Sequence, residues 1–137
     1  SQQKQADSSG FNFHIKDDSD ESIKKFEHKN ITREELGHKT WTLLHLMSAY
    51  FPENPTHLEE AKIKLLLKTI AEFYPCKECG NHFMRLLIEN PIKASNRTEF
   101  MGYLCDIHNK VNERLTHPIF DCSQVEKTWG PSGKREQ

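Results

Sequence analysis

The sequence predicts an all-α protein: a four-helix bundle plus a short fifth helix. Three observations carry this. Apolar residues recur at three- and four-residue spacing through four successive stretches. Pro52, Pro55, Pro75, Pro91 and Pro118 fall between those stretches, where proline cannot continue a helix. No segment alternates apolar and polar residues for long enough to make a sheet. The connections are short, which places consecutive helices antiparallel.

Residues 1 to about 30 read as a polar extension, disordered or loosely docked, with only Phe11, Phe13, Ile15, Ile23 and Phe26 to bury. From Arg33 the pattern changes: Leu36, Trp41, Leu44, His45 and Met47 recur at helical spacing up to Phe51. Thr56 to Glu59 is a capping-box pattern, and Ile63, Leu66, Leu67, Ile70 and Phe73 follow on one side of a second helix. A third helix starts at Cys76 to Cys79 and carries Phe83, Leu86 and Leu87 to Asn90. A fourth runs from near Asn96 to about Leu115 with Phe100, Leu104, Ile107, Val111 and Leu115 inward. A fifth, from about Ser123 to Trp129, ends at Gly130-Pro131.

A length of 137 residues suits one domain. The net charge of −1, from 19 basic and 20 acidic side chains, gives no field for nucleic acid or an anionic membrane. No apolar run approaches the ~20 residues of a bilayer span, and the amino terminus shows no charged-then-apolar signal pattern.

Four cysteines divide into a close pair, Cys76 and Cys79, and a distant pair, Cys105 and Cys122. That division suggests one working disulfide and one staple. The close pair opens a helix, whose unpaired N–H groups and partial positive charge stabilise a thiolate, the species that performs disulfide exchange. Zinc competes on spacing alone, because Cys76, Cys79, Cys105 and His108 form a possible Cys3His set for a helical interaction module. A Cys105–Cys122 bridge would clamp the short fifth helix and contribute on the order of 3 kcal/mol. The bland alternative is two buried free thiols.

Trp41 and His45 share a helical face, as do His108 and Asn112, with Asn109 beside them. A pure apolar core disfavours such groups, since each unpaired polar group costs about 1–3 kcal/mol. A planar, polar ligand accounts for them. Taken singly, each is more often an ordinary core or rim residue.

These residues complete a resemblance. Arg33 to Trp129 is similar to the Erv/ALR family of FAD-dependent sulfhydryl oxidases through REELGHKTWTLLH (Arg33 to His45), YPCKEC (Tyr74 to Cys79), LCDIHNKVN (Leu104 to Asn112) and FDC with VEKTWG (Phe120 to Gly130), in the family's order and spacing. The resemblance covers 97 of the 137 residues. It implies FAD held non-covalently at one end of the bundle, and an oxidase domain over residues 31–130 between an extension (1–30) and a tail (131–137). Cys76 would exchange with substrate thiols and Cys79 would pass the electrons to the flavin. Trp41, His45, Glu78, Cys105, His108, Asn109, Asn112, Lys127 and Trp129 match positions around FAD, with Lys39, Tyr50 and Val111 joining them. Cys105–Cys122 matches the structural disulfide, and no metal is implied.

The implied activity is disulfide formation in protein substrates, with oxygen (giving hydrogen peroxide) or cytochrome c as acceptor. The implied partners are a dithiol protein, such as the disulfide-relay import receptor of the mitochondrial intermembrane space, and a second copy in a non-covalent homodimer. That compartment is the first expectation; the secretory pathway and a virus are alternatives. Family members usually carry a third, shuttle disulfide on a flexible tail. With four cysteines here, the expectation is either a core separated from its shuttle or a member that uses Cys76–Cys79 directly.

Overall fold

The structure, a computed structural model, describes residues 3–6, 10–17, 19–20, 23 and 25–131. In chain order it contains strands β1 (Gln3–Ala6) and β2 (Asn12–Ile15) and helices α1 (Arg33–Ala49), α2 (His57–Phe73), α3 (Lys77–Glu89) and α4 (Arg97–Arg114). A 3-10 turn, Cys122–Gln124, then leads into α5, Val125–Trp129. The four long helices and the short fifth are those the periodicity predicts. None of these helices is long and apolar enough to cross a membrane.

The chain divides into two compact units. One joins Ser1–Leu36 to His57–Ile92, and the other joins Gly37–Thr56 to Lys93–Gln137. In the first unit Ile63, Leu67 and Ala71 of α2 and Met84 and Leu87 of α3 are buried. Each large side chain of this kind contributes about 1.5–3 kcal/mol when removed from water. The two helices approach closely at Gly80: a Cβ there would stand 2.4 Å from the Ala71 carbonyl oxygen. Phe73, expected on the inward side of α2, is 69% exposed, because the buried positions 63, 67 and 71 run along a line that Phe73 leaves.

The amino-terminal segment departs from the expectation of a sheetless extension. β1 and β2 form an antiparallel pair, with Gln3 opposite Ile15 and Ala6 opposite Asn12. Alternation extends over only four residues of β2, too short to stand out in the sequence, yet it buries Phe13 and Ile15 (4% and 5% exposed). Asn81 of α3 holds the following residue, Lys16, by its backbone. From residue 132 onward the predicted tail lies outside the described residues.

In the second unit Leu44, Phe51, Phe100, Met101, Leu104 and Ile107 are buried, and the Phe51 and Phe100 rings meet at 5.1 Å. Asn96 caps α4 by accepting from the Glu99 N–H at 2.8 Å. Arg97 donates to the Phe51 carbonyl and pairs with Glu53, tying the start of α4 to the loop after α1. The end of α4 is a Schellman turn: His117 N–H donates to Asn112 O and Thr116 N–H to Glu113 O. Leu115, read as inward, lies at this end of the helix and is 40% exposed.

Candidate functional site

Cys76 and Cys79 are joined in a disulfide, with Cα atoms 5.2 Å apart. Cys76 is the N-cap of α3, and its Sγ accepts from the Cys79 backbone N–H at 3.3 Å. A sulfur in that position faces the orphan donors and the positive end of the helix, so a thiolate formed there is stabilised. Cys76 is fully buried, whereas Cys79 is half-buried. Lys77 is exposed beside the pair, and Glu78 faces Arg33 at 3.9 Å.

Cys105 of α4 is bonded to Cys122. Asn109, one turn after Cys105, uses its amide on the same connection: Nδ2 donates to Phe120 O at 2.8 Å, and Oδ1 accepts from Phe120 N–H at 3.0 Å. Nδ2 also lies 3.3 Å from Cys122 Sγ. The covalent bridge and this two-point grip set the start of α5. The two disulfides also correct the zinc alternative. They consume all four sulfurs and pair Cys105 with Cys122, so the Cys3His set is not assembled.

Four rings gather in the second unit. Trp41 stacks on His108 with centroids 4.2 Å apart and planes 7° from parallel. His45 stacks on Trp129 at 4.9 Å and 11°. The imidazoles meet directly, His45 Nε2 to His108 Nδ1 at 2.8 Å. Burial, then the neighbouring His108, pushes His45 down to about 4. Burial, then His117 and His38, pushes His108 down to about 4. Both are therefore neutral near pH 7, one donating and the other accepting. Asn112 is buried and donates to Asn109 Oδ1 at 3.3 Å.

Of the residues that sequence reading assigned to the cofactor, the structure brings together Trp41, His45, His108 and Trp129, with Cys105, Asn109 and Asn112 braced around them. Lys39, Tyr50 and Lys127 are exposed and Val111 is half-buried; the described contacts do not bring these four into the ring cluster. Glu78 belongs to the first unit with Arg33. Sequence reading missed the direct His45–His108 bond, since 63 positions separate the two and no local pattern links them. It also missed Asn81, a lone asparagine on a helix that carries no signal of what it holds.

A disulfide at the N-cap of one helix, and a neutral histidine–tryptophan cluster on helices braced by a second disulfide, define a helical dithiol–disulfide domain. The chain belongs to the Erv1 / Alr family, whose profile matches residues 38–130. It is 44% identical over 100 residues to the FAD-linked sulfhydryl oxidase ERV1 of Oryza sativa subsp. japonica, covering 73% of this chain and 52% of that protein. It is 38% identical over 96 residues to the mitochondrial FAD-linked sulfhydryl oxidase ERV1 of Saccharomyces cerevisiae, covering 70% and 51%. The crystal structure of the yeast Erv1 core superposes with a TM-score of 0.72 at 34% identity, covering 82% of this chain and 96% of that one. The crystal structure of the FAD binding domain of Erv1 from Saccharomyces cerevisiae gives 0.70 at 37% identity, covering 74% and 95%. The chain spans about half the length of the curated relatives it matches.

Proposed function

We propose that this chain is the catalytic core of an FAD-linked thiol oxidase that makes disulfide bonds in protein substrates. The observation that carries the reading is the Cys76–Cys79 disulfide at the N-terminus of α3, with Cys76 Sγ against the Cys79 N–H. A substrate thiolate attacks Cys76 Sγ, the Cys76–Cys79 bond breaks, and Cys79 leaves as a thiolate. A second substrate thiolate attacks the mixed disulfide from the substrate side. The substrate departs oxidised and Cys76 leaves as a thiolate, at the sulfur the helix N–H already faces. Two electrons have then moved from the substrate dithiol to the pair. Because Cys76 is buried, exchange requires the first turn of α3 to open to substrate.

The second unit fits a flat, hydrogen-bonding ring system. Trp41, His45, His108 and Trp129 offer parallel ring faces, and the imidazoles, Asn112 and Asn109 offer neutral donors and acceptors. These residues would hold the isoalloxazine and adenine portions of FAD, with the more exposed Lys39, Tyr50, Lys127 and Val111 as outer contacts. When bound, FAD supplies a two-electron acceptor that oxygen or a one-electron carrier such as cytochrome c can reoxidise. The names of the relatives, FAD-linked sulfhydryl oxidases, support the same cofactor and activity.

Leu43, Leu46 and Tyr50 form an exposed apolar stripe at helical spacing. It supports a non-covalent homodimer, which sedimentation of the wild-type against a Leu43→Glu, Leu46→Glu variant tests. The mitochondrial name of the yeast relative supports a mitochondrial compartment; within it, the intermembrane space and its disulfide-relay import receptor are the compartment and partner the family resemblance implies.

The deciding experiment is anaerobic titration of the purified protein, incubated with FAD and freed of excess, with a dithiol, followed in the visible spectrum and then exposed to air. Bleaching followed by recovery, with hydrogen peroxide formed, is the expected result. Cys76→Ser and Cys79→Ser should each lose turnover while retaining flavin. Undiminished turnover in the Cys79 variant, or a protein that takes up no FAD, sinks the reading.

A further inference from the structure

We propose that the face of α3 around Asn81 is a docking site for an extended, apolar segment of the protein substrate, and that Phe13–Lys16 of this chain occupies it in cis. The partner's identity as a reduced protein rests on the thiol-oxidase reading; the site itself does not.

The site reads a peptide by its backbone. Asn81 Oδ1 accepts from Lys16 N–H at 2.7 Å, and Asn81 Nδ2 donates to Lys16 O at 3.0 Å. This two-point grip engages no side chain, so any residue except proline, which lacks the N–H, satisfies it. Selectivity comes from the preceding residues. Phe13 and Ile15 lie on one side of the strand, as alternation requires, and both are buried. Lys68 Nζ of α2 sits 5.8 Å from the Phe13 ring centroid. The matching ligand is an extended chain with apolar residues at alternate positions followed by a non-proline residue. Incompletely folded dithiol substrates expose such segments.

The cis occupant is built to leave. None of the described residues between Asp17 and Thr32 belongs to a helix or strand, so release of β2 dismantles no regular element between it and α1. His14, between the two anchors, has a buried Nδ1 with no hydrogen-bond partner, a penalty that an incoming segment with an apolar residue there avoids. The site itself is firm. Asn81 is 7% exposed and follows Gly80, where α3 rests against the Ala71 carbonyl. It stands two residues beyond Cys79 on the same helix, so a docked segment is held at a fixed offset from the redox pair.

The test uses the Phe13→Asp, Ile15→Asp double variant of the full chain, which vacates the site. A fluorescein-labelled peptide, GFNFHIKD (residues 10–17), is titrated into the oxidised variant and followed by anisotropy. Saturable binding is expected, lost when the peptide itself carries Phe13→Asp and Ile15→Asp, and about tenfold weaker when the protein also carries Asn81→Leu. Absence of binding to a double variant that keeps the parent's helical circular dichroism, or equal binding of the substituted peptide, overturns the docking site. In turnover, a reduced dithiol peptide bearing a Phe-x-Ile segment should show kcat/KM raised about tenfold in the double variant over the parent, with dithiothreitol oxidised equally by both. Equal peptide turnover overturns the cis competition. If neither protein oxidises any thiol, the oxidase reading fails while the anisotropy titration still decides the docking site.

Discussion

His45 Nε2 lies 2.8 Å from His108 Nδ1, so the two imidazoles share one proton between facing nitrogens and cannot both be charged without losing that bond. Each is held near 4, against an ordinary value of 6.5, first by burial. Between pH 6.5 and 4 the unfolded imidazoles bind protons that the folded ones refuse. Stability is therefore complete above about pH 6.5, falls as pH drops through that window, and levels off below about 4. Allowing for partial exposure of the site, the loss is on the order of 3 kcal/mol. Urea denaturation at pH 7.5 and 4.5 measures it. A His45→Asn, His108→Asn variant should show a much flatter profile, and a parent whose midpoint is unchanged between the two pH values removes the pair from this role.

Gly80 tests how closely α3 must approach α2. A methyl group there would stand 2.4 Å from Ala71 O and 3.0 Å from Tyr74 Cβ. The first obstacle is backbone and cannot rotate away. Gly80→Ala should destabilise by roughly 1–3 kcal/mol, even though alanine favours a helix interior. Thermal unfolding decides: a variant as stable as the parent means that α3 has slack at this contact.

Helix number and order were legible because apolar spacing and proline punctuation act locally. The opening of α3 at Cys76 and of α4 at Asn96 followed from the same local chemistry, and the four central site residues followed from the motif blocks that carry the family resemblance. Pairings between distant residues were not legible. Asn109 illustrates this: its place among the site motifs suggested cofactor contact, and nothing local announced that its amide also engages Phe120 on both backbone atoms. Phe13 and Ile15 were candidates for burial, but their docking depends on Asn81, 65 positions from Lys16, and the four-residue alternation around them was too brief to announce a strand.

Thr116 occupies the left-handed position that closes α4, with φ of 57°. Glycine is the usual residue at that point of a Schellman turn, and a β-branched side chain is strained there. Thr116→Gly should raise stability by about 0.5–1 kcal/mol, less than the full relief of strain because glycine also loosens the unfolded chain. The expected rise in melting temperature is a few degrees. A decrease would mean that the threonine hydroxyl, which donates to Leu115 O at 2.6 Å, outweighs the backbone strain.

Asn109 and the Cys105–Cys122 disulfide act on the same short connection, which lets their contributions be separated. The bridge closes a 17-residue separation, and its removal in Cys105→Ala, Cys122→Ala should cost about 3 kcal/mol, largely through the unfolded chain. Asn109→Ala removes, from the folded state alone, both hydrogen bonds to Phe120 and the one that the buried Asn112 donates to it, and leaves the Phe120 backbone groups to water, costing about 1–3 kcal/mol. Both changes loosen the start of α5 and so the placement of Trp129 against His45. Flavin release should therefore accelerate in both, although neither change removes a ring from the cluster. The comparison to make is flavin dissociation, followed by fluorescence, against a Trp129→Ala variant. If Asn109→Ala destabilises the protein but releases flavin at the parental rate, Asn109 braces the chain without positioning Trp129. If it approaches the Trp129→Ala rate, the grip on Phe120 is what keeps Trp129 in the site.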